Sequence, residues 1–213
     1  MRLNLINGLE FINKSISVEE ISNAIVPTVI DLCADTRWRV RVAVIECIPM
    51  IAKLFGVTFF NQRMLTTCMS WLCDTVSAVR KAATDNLKEL AMLFGEQWTL
   101  DHVFSRVTDT FEDASFMKRL TALYTLQVLV YTNISVTTVA EIVMPVITLM
   151  MDDHVPNIRF NVAATAGCMK HFTDLTFVAT RNELNRILKV LRDDHDRDVR
   201  RYAFAAQKEL GFI

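Results

Sequence analysis

Four aspartates in one short stretch, Asp193, Asp194, Asp196 and Asp198, carry enough carboxylate to hold a hard cation such as calcium. A calcium loop also needs a central glycine for its turn and a terminal bidentate glutamate, and this stretch has neither. The run reads instead as a turn whose acids cap the next helix. His102, His154, His171 and His195 are candidate bases, yet none has a cysteine or serine at a spacing that would make the pair a nucleophile. Cys33, Cys47, Cys68, Cys73 and Cys168 form no Cys-x-x-Cys pair and have no histidine at finger spacing. The first three fall on apolar helical positions and read as small core residues. Their odd number fits a reducing compartment, the cytoplasm and also the nucleus. The five glycines are scattered, so no phosphate-cradling loop exists. No enzymatic activity, metal or cofactor is expected.

One charged pattern recurs. An aspartate stands six residues before an arginine in five segments: Asp35 and Arg41, Asp74 and Arg80, Asp113 and Arg119, Asp153 and Arg159, Asp194 and Arg200. The arginines step by 39, 39, 40 and 41 residues, and one step back from Arg41 lands on Arg2. Equal numbers of both charges cancel any field, so this row reads as a structural ladder rather than a phosphate site. Each guanidinium is expected to bridge the carboxylates of its own turn and of a neighbouring one.

The ladder must be carried by helices. Three residues after each arginine stand Val44, Ala83, Ala122, Val162 and Ala203, and ten after stand Ile51, Leu90, Leu129, Met169 and Leu210. At seven come Ile48, Leu87, Leu126 and Ala166, with Gln207 breaking the series. That spacing draws one stripe on a helix. Before each aspartate runs a second stripe, Ile25, Met64, Val103, Val143 and Leu184, then Val29, Cys68, Val107, Ile147 and Leu188. Each repeat is therefore two antiparallel helices, A and B, with the ladder at the A-to-B turn. Capping-box spacings at Ser17, Thr138 and Thr180 mark A-helix starts. Gly56 and Gly95 are expected to end B helices in a left-handed cap. Pro27, Pro49 and Pro145 lie inside helices and should bend them.

A period near forty residues with two helices per unit lies in the HEAT and armadillo range. The expected fold class is all-α, an α-α superhelix of about five hairpins after one leading helix, because a lone hairpin leaves its apolar stripe open and neighbours must stack to close it. The divisions fall at 17–56, 57–95, 96–134, 135–175 and 176–213, after a half-repeat at 1–15, in a single solenoid over 1–213.

Composition agrees. Apolar residues make up 52% of 213 positions, while glycine and proline supply nine, which favours long buried helices. Lys and Arg number 23 against 24 Asp and Glu, so nucleic acid is not an expected partner. Asp31, Glu46, Lys88 and Asp152 interrupt the apolar runs, and no membrane span is expected.

The turns carry the binding chemistry. Trp38 lies between Arg37 and Arg39 at a turn rather than at a core phase, and Trp and Arg are the favoured anchors of protein interfaces. Phe116 and Met117 hold the equivalent turn two repeats on, and Val155 with Pro156 the next.

The segments Arg2-LNLI, Trp38-RVRVAVIE, Gly56-VTFF, Cys68-MSWL, Arg80-KAATDNLKEL, Met144-PVITLM, Asn157-IRFNVA and Asp198-VRRYA resemble the scaffolding A subunits of type 2A protein serine/threonine phosphatases, which are HEAT-repeat rods. The resemblance spans nearly the whole chain and matches the family's last repeats. It implies that the chain binds the phosphatase catalytic subunit through its turns and that a regulatory subunit binds only a full-length scaffold. Carried over turn by turn, it implies contacts from Arg37, Trp38 and Arg39, Val76 and Ser77, Phe116, Met117 and Lys118, and Val155 and Asn157, with Asp196 and Arg197 at the fifth turn. The chain departs from the family at Ser77 and Phe116, where tyrosines stand, and at Lys118, where a histidine stands. An adaptor for transport or for tubulin is the alternative within the same fold.

Overall fold

The computed structural model describes residues 18–173 and 177–213. The readings on Arg2, on the half-repeat 1–15, on the Ser17 cap and on the side chain of Ile25 lie outside what it describes. Every regular element among the described residues is helical. The contacts cluster in two compact units, Met1–Gly95 and Glu96–Ile213.

In the first unit the A helix Val18–Cys33 leads through a short turn into Trp38–Arg63. At Gly56 the backbone leaves the helix with φ 80° and ψ 172°, so this long element is a B helix followed by the start of the next A helix. That A helix continues through Leu65–Ser70 and a tight turn at Trp71–Cys73, and the next B helix is Ser77–Phe94. Gly95 ends it with φ 88° and ψ 176°. The expected left-handed caps are thus corrected in one coordinate. Both φ values are positive, but ψ is extended, a region that only a residue without Cβ enters cheaply.

The helix Trp38–Arg63 is also long and apolar enough to cross a membrane by length and composition, despite Glu46. Its apolar side faces protein, since Val44, Ile45, Ile48, Ile51 and Ala52 are buried, and Gly56 breaks it.

In the second unit the first A helix is irregular. It runs through Glu96–Thr99, a wide π segment at Leu100–Phe104, Ser105–Val107 and a tight turn at Thr108–Thr110. The next A helix repeats the device, with Val136–Thr138, a π segment at Val139–Val143 and then Met144–Met150. Pro145 therefore sits just after a π segment, at the start of a regular helix where a missing N–H costs little. Pro27 and Pro49 are inside helices as read. The B helices are Phe116–Leu129, Pro156–Cys168 and Arg197–Glu209, with the A helix Val178–Arg192 before the last.

The B helices pack side by side within each unit. Trp38–Arg63 lies on Ser77–Phe94 in the first, and Pro156–Cys168 lies on both Phe116–Leu129 and Arg197–Glu209 in the second. The predicted stripes form the core: Ile48, Leu87, Leu126 and Ala166 are buried on the B side, and Met64, Val103, Val143 and Leu184 on the A side. Each large aliphatic among them contributes about 1.5–3 kcal/mol over leaving it in water. Gln207 is buried too, because its Oε1 accepts a hydrogen bond from Arg192 Nη1 at 2.8 Å. Close approach decides one further position. Gly167 packs against Ala206, where an added Cβ would lie 3.3 Å from the alanine's own.

Two capping assignments are corrected. Ser135 caps the A helix read as starting at Thr138, accepting from the Thr138 amide at 3.1 Å. Thr180 lies inside Val178–Arg192 and is buried, while Glu183 pairs with Arg186 instead of reaching back. A hydroxyl and a glutamate three apart satisfy the capping spacing anywhere on a helix, so spacing alone misplaces the start by a turn.

Candidate functional site: the intra-repeat turns

All five A-to-B turns share one construction. The aspartate Oδ1 accepts the amide two residues on, from Arg37, Val76, Ser115, Val155 and Asp196, each at 2.8 Å. The arginine six residues after the aspartate then donates Nη1 to that aspartate's own carbonyl, each at 2.7 Å, for Arg41, Arg80, Arg119, Arg159 and Arg200. Side chain and guanidinium together satisfy the backbone groups that a sharp turn leaves open.

Three of these arginines also reach across to the next repeat of their own unit. Arg41 forks Asp74 with Nε and Nη2, both at 2.9 Å. Arg119 forks Asp153 at 2.7 and 3.0 Å, and Arg159 forks Asp194 at 2.6 and 2.9 Å. The expected bridge between two carboxylates is therefore corrected: the neighbour supplies the carboxylate and the arginine's own turn supplies a carbonyl. A carboxylate already holding one amide still has lone pairs for a guanidinium fork, and planar arginine fits it on two bonds. The Arg159 bond holds the Asp194 carboxyl below its usual range. Burial alone would push Asp153 up, but the bonds from Arg119 and the Val155 amide hold it down.

Two turn aspartates carry additional local cations. Asp35 is gripped by Arg37 through Nε and Nη2 at 3.0 and 2.8 Å, which lowers its carboxyl to about 2. Asp113 is held by Lys118 at 2.7 Å, which also lowers it. Arg37 and Lys118, both read as partner contacts, are thus partly committed to their own turns.

The other candidates face outward to different degrees. In the first unit Trp38 is the first residue of its B helix and half-buried, and the Arg39 guanidinium lies 4.4 Å from its ring centroid. Val76 is half-buried and Ser77 exposed. In the second unit Phe116 is exposed at 41%, Met117 and Val155 are half-buried, and Asn157 is exposed. At the last turn Asp196 caps its helix by accepting from the amides of Asp198 and Val199, while Arg197 is exposed. Asp194 and Asp196 therefore act in turn and cap geometry. No cluster of three metal-ligating side chains occurs among the described residues. Cys33 and Cys68 are buried, and burial pushes both thiols up, Cys33 to about 12.

Sequence reasoning missed one tie inside the second unit. Glu96 Oε1 accepts from the Ser135 amide at 2.7 Å and from the Thr138 hydroxyl, joining the starts of two A helices. The only signal was a spacing of one repeat between Glu96 and Ser135. It also missed that Trp71 is buried and donates its indole N–H to the Cys33 carbonyl at 3.2 Å.

Residues 25–55 and 64–94 match the HEAT repeat family. The chain folds as a helical repeat solenoid of the HEAT and armadillo kind. Among solved structures it is similar to the crystal structure of Cex1p, with a TM-score of 0.62 at 19% identity over 91% of this chain and 34% of that one. It is also similar to a designed armadillo repeat protein in complex with the peptide (KR)4, with a TM-score of 0.52 at 16% identity over 91% and 85% of the two chains. Among characterised proteins it matches the regulatory A-type subunit of protein phosphatase PP2A from Saccharomyces cerevisiae, 38% identical over 122 residues, which is 54% of this chain. The aligned part spans 19% of that relative's length.

Proposed function

We propose that this chain is a non-catalytic scaffold that binds the catalytic subunit of a type 2A protein phosphatase through its intra-repeat turns, acting in the cytoplasm and nucleus. The observation that carries the proposal is the first turn, where a half-buried tryptophan stands at the head of a B helix with an arginine stacked on it. An aromatic held at a turn by a rigid helix offers a large, partly desolvated contact at low entropic cost, which is the usual anatomy of a binding anchor. The 38% identity to the yeast phosphatase regulatory protein supports the choice of partner. Phe116, Met117, Val155 and Asn157 offer further contacts from the second unit, and Arg39 and Ser77 from the first. A regulatory subunit is proposed as a partner only of a longer scaffold.

The test is a titration of the purified chain against a purified type 2A catalytic subunit, with Trp38→Ala alongside. The wild type should bind, and the variant should bind about 30-fold to 1000-fold more weakly while melting at nearly the same temperature. Absence of wild-type binding overturns the partner. Equal binding by the variant overturns the site.

A further inference from the structure

The last hairpin, Val178–Arg192 with Arg197–Glu209, carries the turn arginine but has no further described hairpin stacked on it. Arg41, Arg119 and Arg159 each use Nη1 for a carbonyl of their own turn and give Nε and Nη2 to the aspartate of the hairpin that follows. Arg200 makes the same turn bonds, from Nη1 to the carbonyls of Asp194 and His195 at 2.7 and 2.9 Å. Its Nε and Nη2 meet no carboxylate among the described residues.

One helical turn further along, the contrast repeats. Ile45, Leu123 and Ala163 stand four residues after their arginines, in hairpins with a neighbour stacked on them, and each is 0% exposed. Phe204 holds that position after Arg200 and is 49% exposed. Residues four apart share a helix face, so the ring and the open guanidinium edge point the same way. A solenoid end that meets only water carries polar residues on its outer face, and a phenylalanine there argues for a cover.

The groups around Phe204 set the chemistry of that cover. The Arg192 guanidinium lies 4.8 Å from its ring centroid, and Arg181, about three turns earlier on the same side of the A helix, lies 5.1 Å from the ring of Phe212. With Arg200 and Lys208 these make a basic end face with two rings in it, on a chain whose net charge is only −1. A second copy brought to this face by a two-fold axis would set like charges against each other. A carboxylate suits them instead, and the inner arginines show how it is taken, in a fork onto an aspartate at a helix turn. We infer that the outer face of the last hairpin docks a helical segment of a partner protein that offers an aspartate or glutamate to Arg200 and an apolar side chain to Phe204.

The test uses the full chain, without phosphatase, and a dye-labelled helical peptide of glutamate, alanine and leucine with the leucines on one face and glutamates beside them, followed by fluorescence anisotropy. The controls are the same peptide with glutamine for glutamate and a dye-labelled oligothymidylate. The wild type should bind the glutamate peptide about tenfold more tightly than either control. Phe204→Ser should weaken binding about tenfold at every salt concentration and leave the melting temperature nearly unchanged, since the ring is half exposed. Arg200→Gln should weaken binding about as much and flatten its salt dependence, whereas Arg201→Gln, the same loss of charge about 100° round the helix, should weaken it no more than about twofold. No binding by the wild type overturns the inference, as does binding unchanged by Phe204→Ser. Equal losses from Arg200→Gln and Arg201→Gln overturn it too, because the attraction is then unspecific. Oligothymidylate bound more tightly than the glutamate peptide gives the face to nucleic acid, and a dimer in sedimentation that Phe204→Ser dissolves gives it to a second copy. Either result removes the acidic protein partner.

Discussion

Arg119 and Asp153 face each other 34 residues apart with Nε to Oδ2 at 2.7 Å, and their side chains are only 6% and 9% exposed. Arg119 also closes its own turn through the carbonyls of Asp113 and Ala114. One guanidinium thus fixes a turn and the register of the next repeat. Its removal takes both guanidinium bonds from a buried carboxylate, which keeps the Val155 amide, and leaves two carbonyls unmet.

Arg119→Ala is therefore expected to lower stability by about 2–4 kcal/mol, read from urea denaturation midpoints. Arg119→Lys should recover little, because an ammonium cannot make the fork and the carbonyl bond together. Lys81→Ala is the control, since its pair with Asp85 is mostly exposed and should be worth less than about 0.5 kcal/mol. Equal losses for Arg119→Ala and Lys81→Ala would make the ladder ornamental.

Acid should loosen the same ladder. The Asp194 and Asp153 carboxyls are held below the unfolded value of about 3.9, so the unfolded chain binds more protons than the folded one and stability rises with pH across this range. The contribution is complete above about pH 5 and is lost as pH falls through the folded values. Asp194→Asn should be less stable than the wild type near neutrality and should lose less on going from about pH 5 to about pH 3. Parallel profiles for the two proteins would remove Asp194 from the acid response.

Much of the fold is legible in the sequence because side-chain periodicity and burial are one physical fact. Val44, Ile48 and Ile51 recur every turn or so, and all three are buried. What stays hidden is whatever depends on backbone groups, which carry no letter. The carbonyl of Asp113 that Arg119 binds, the π segments at Leu100–Phe104 and Val139–Val143, and the extended ψ of Gly56 and Gly95 all belong to this class. Gln207 and Asn86 mark another boundary. Both are polar letters at buried positions, one satisfied by Arg192 and the other by nothing among the described residues, and periodicity treats them alike. At the candidate site, the turn positions of Trp38, Phe116 and Val155 were readable from phase. The grip of Arg37 on Asp35 and of Lys118 on Asp113 was not, since it depends on side-chain direction.

Gly56 gives a purely backbone prediction. A Cβ there would meet nothing within 4 Å, so any cost of Gly56→Ala comes from φ 80° alone. The expected loss is about 1–3 kcal/mol in thermal or denaturant unfolding, with the helical signal of the folded state unchanged. A neutral substitution would mean that the chain can join the two helices at Gly56 in another way.

Trp38 and Arg39 are expected to act on the proposed partner as a coupled pair. The guanidinium lies over the indole, an arrangement worth about 0.5–1 kcal/mol at an exposed site, and it both orients the ring and brings a positive charge to the turn. Trp38→Ala should cost about 2–4 kcal/mol of binding to the catalytic subunit, nearly independent of salt, because an apolar contact is not screened. Arg39→Ala should cost less and should fade as ionic strength rises. In the double variant the losses should fall short of their sum by about 0.5 kcal/mol or more, since removing either partner already breaks the stack. Thermal melts run on all four proteins separate this from a folding effect. The pair sits at the start of a helix outside the buried stripe, so the melting temperature should stay nearly constant. Strict additivity would show that the two side chains bind independently. A Trp38→Ala protein that unfolds early while its folded fraction binds normally would place the ring in the core and move the interface elsewhere.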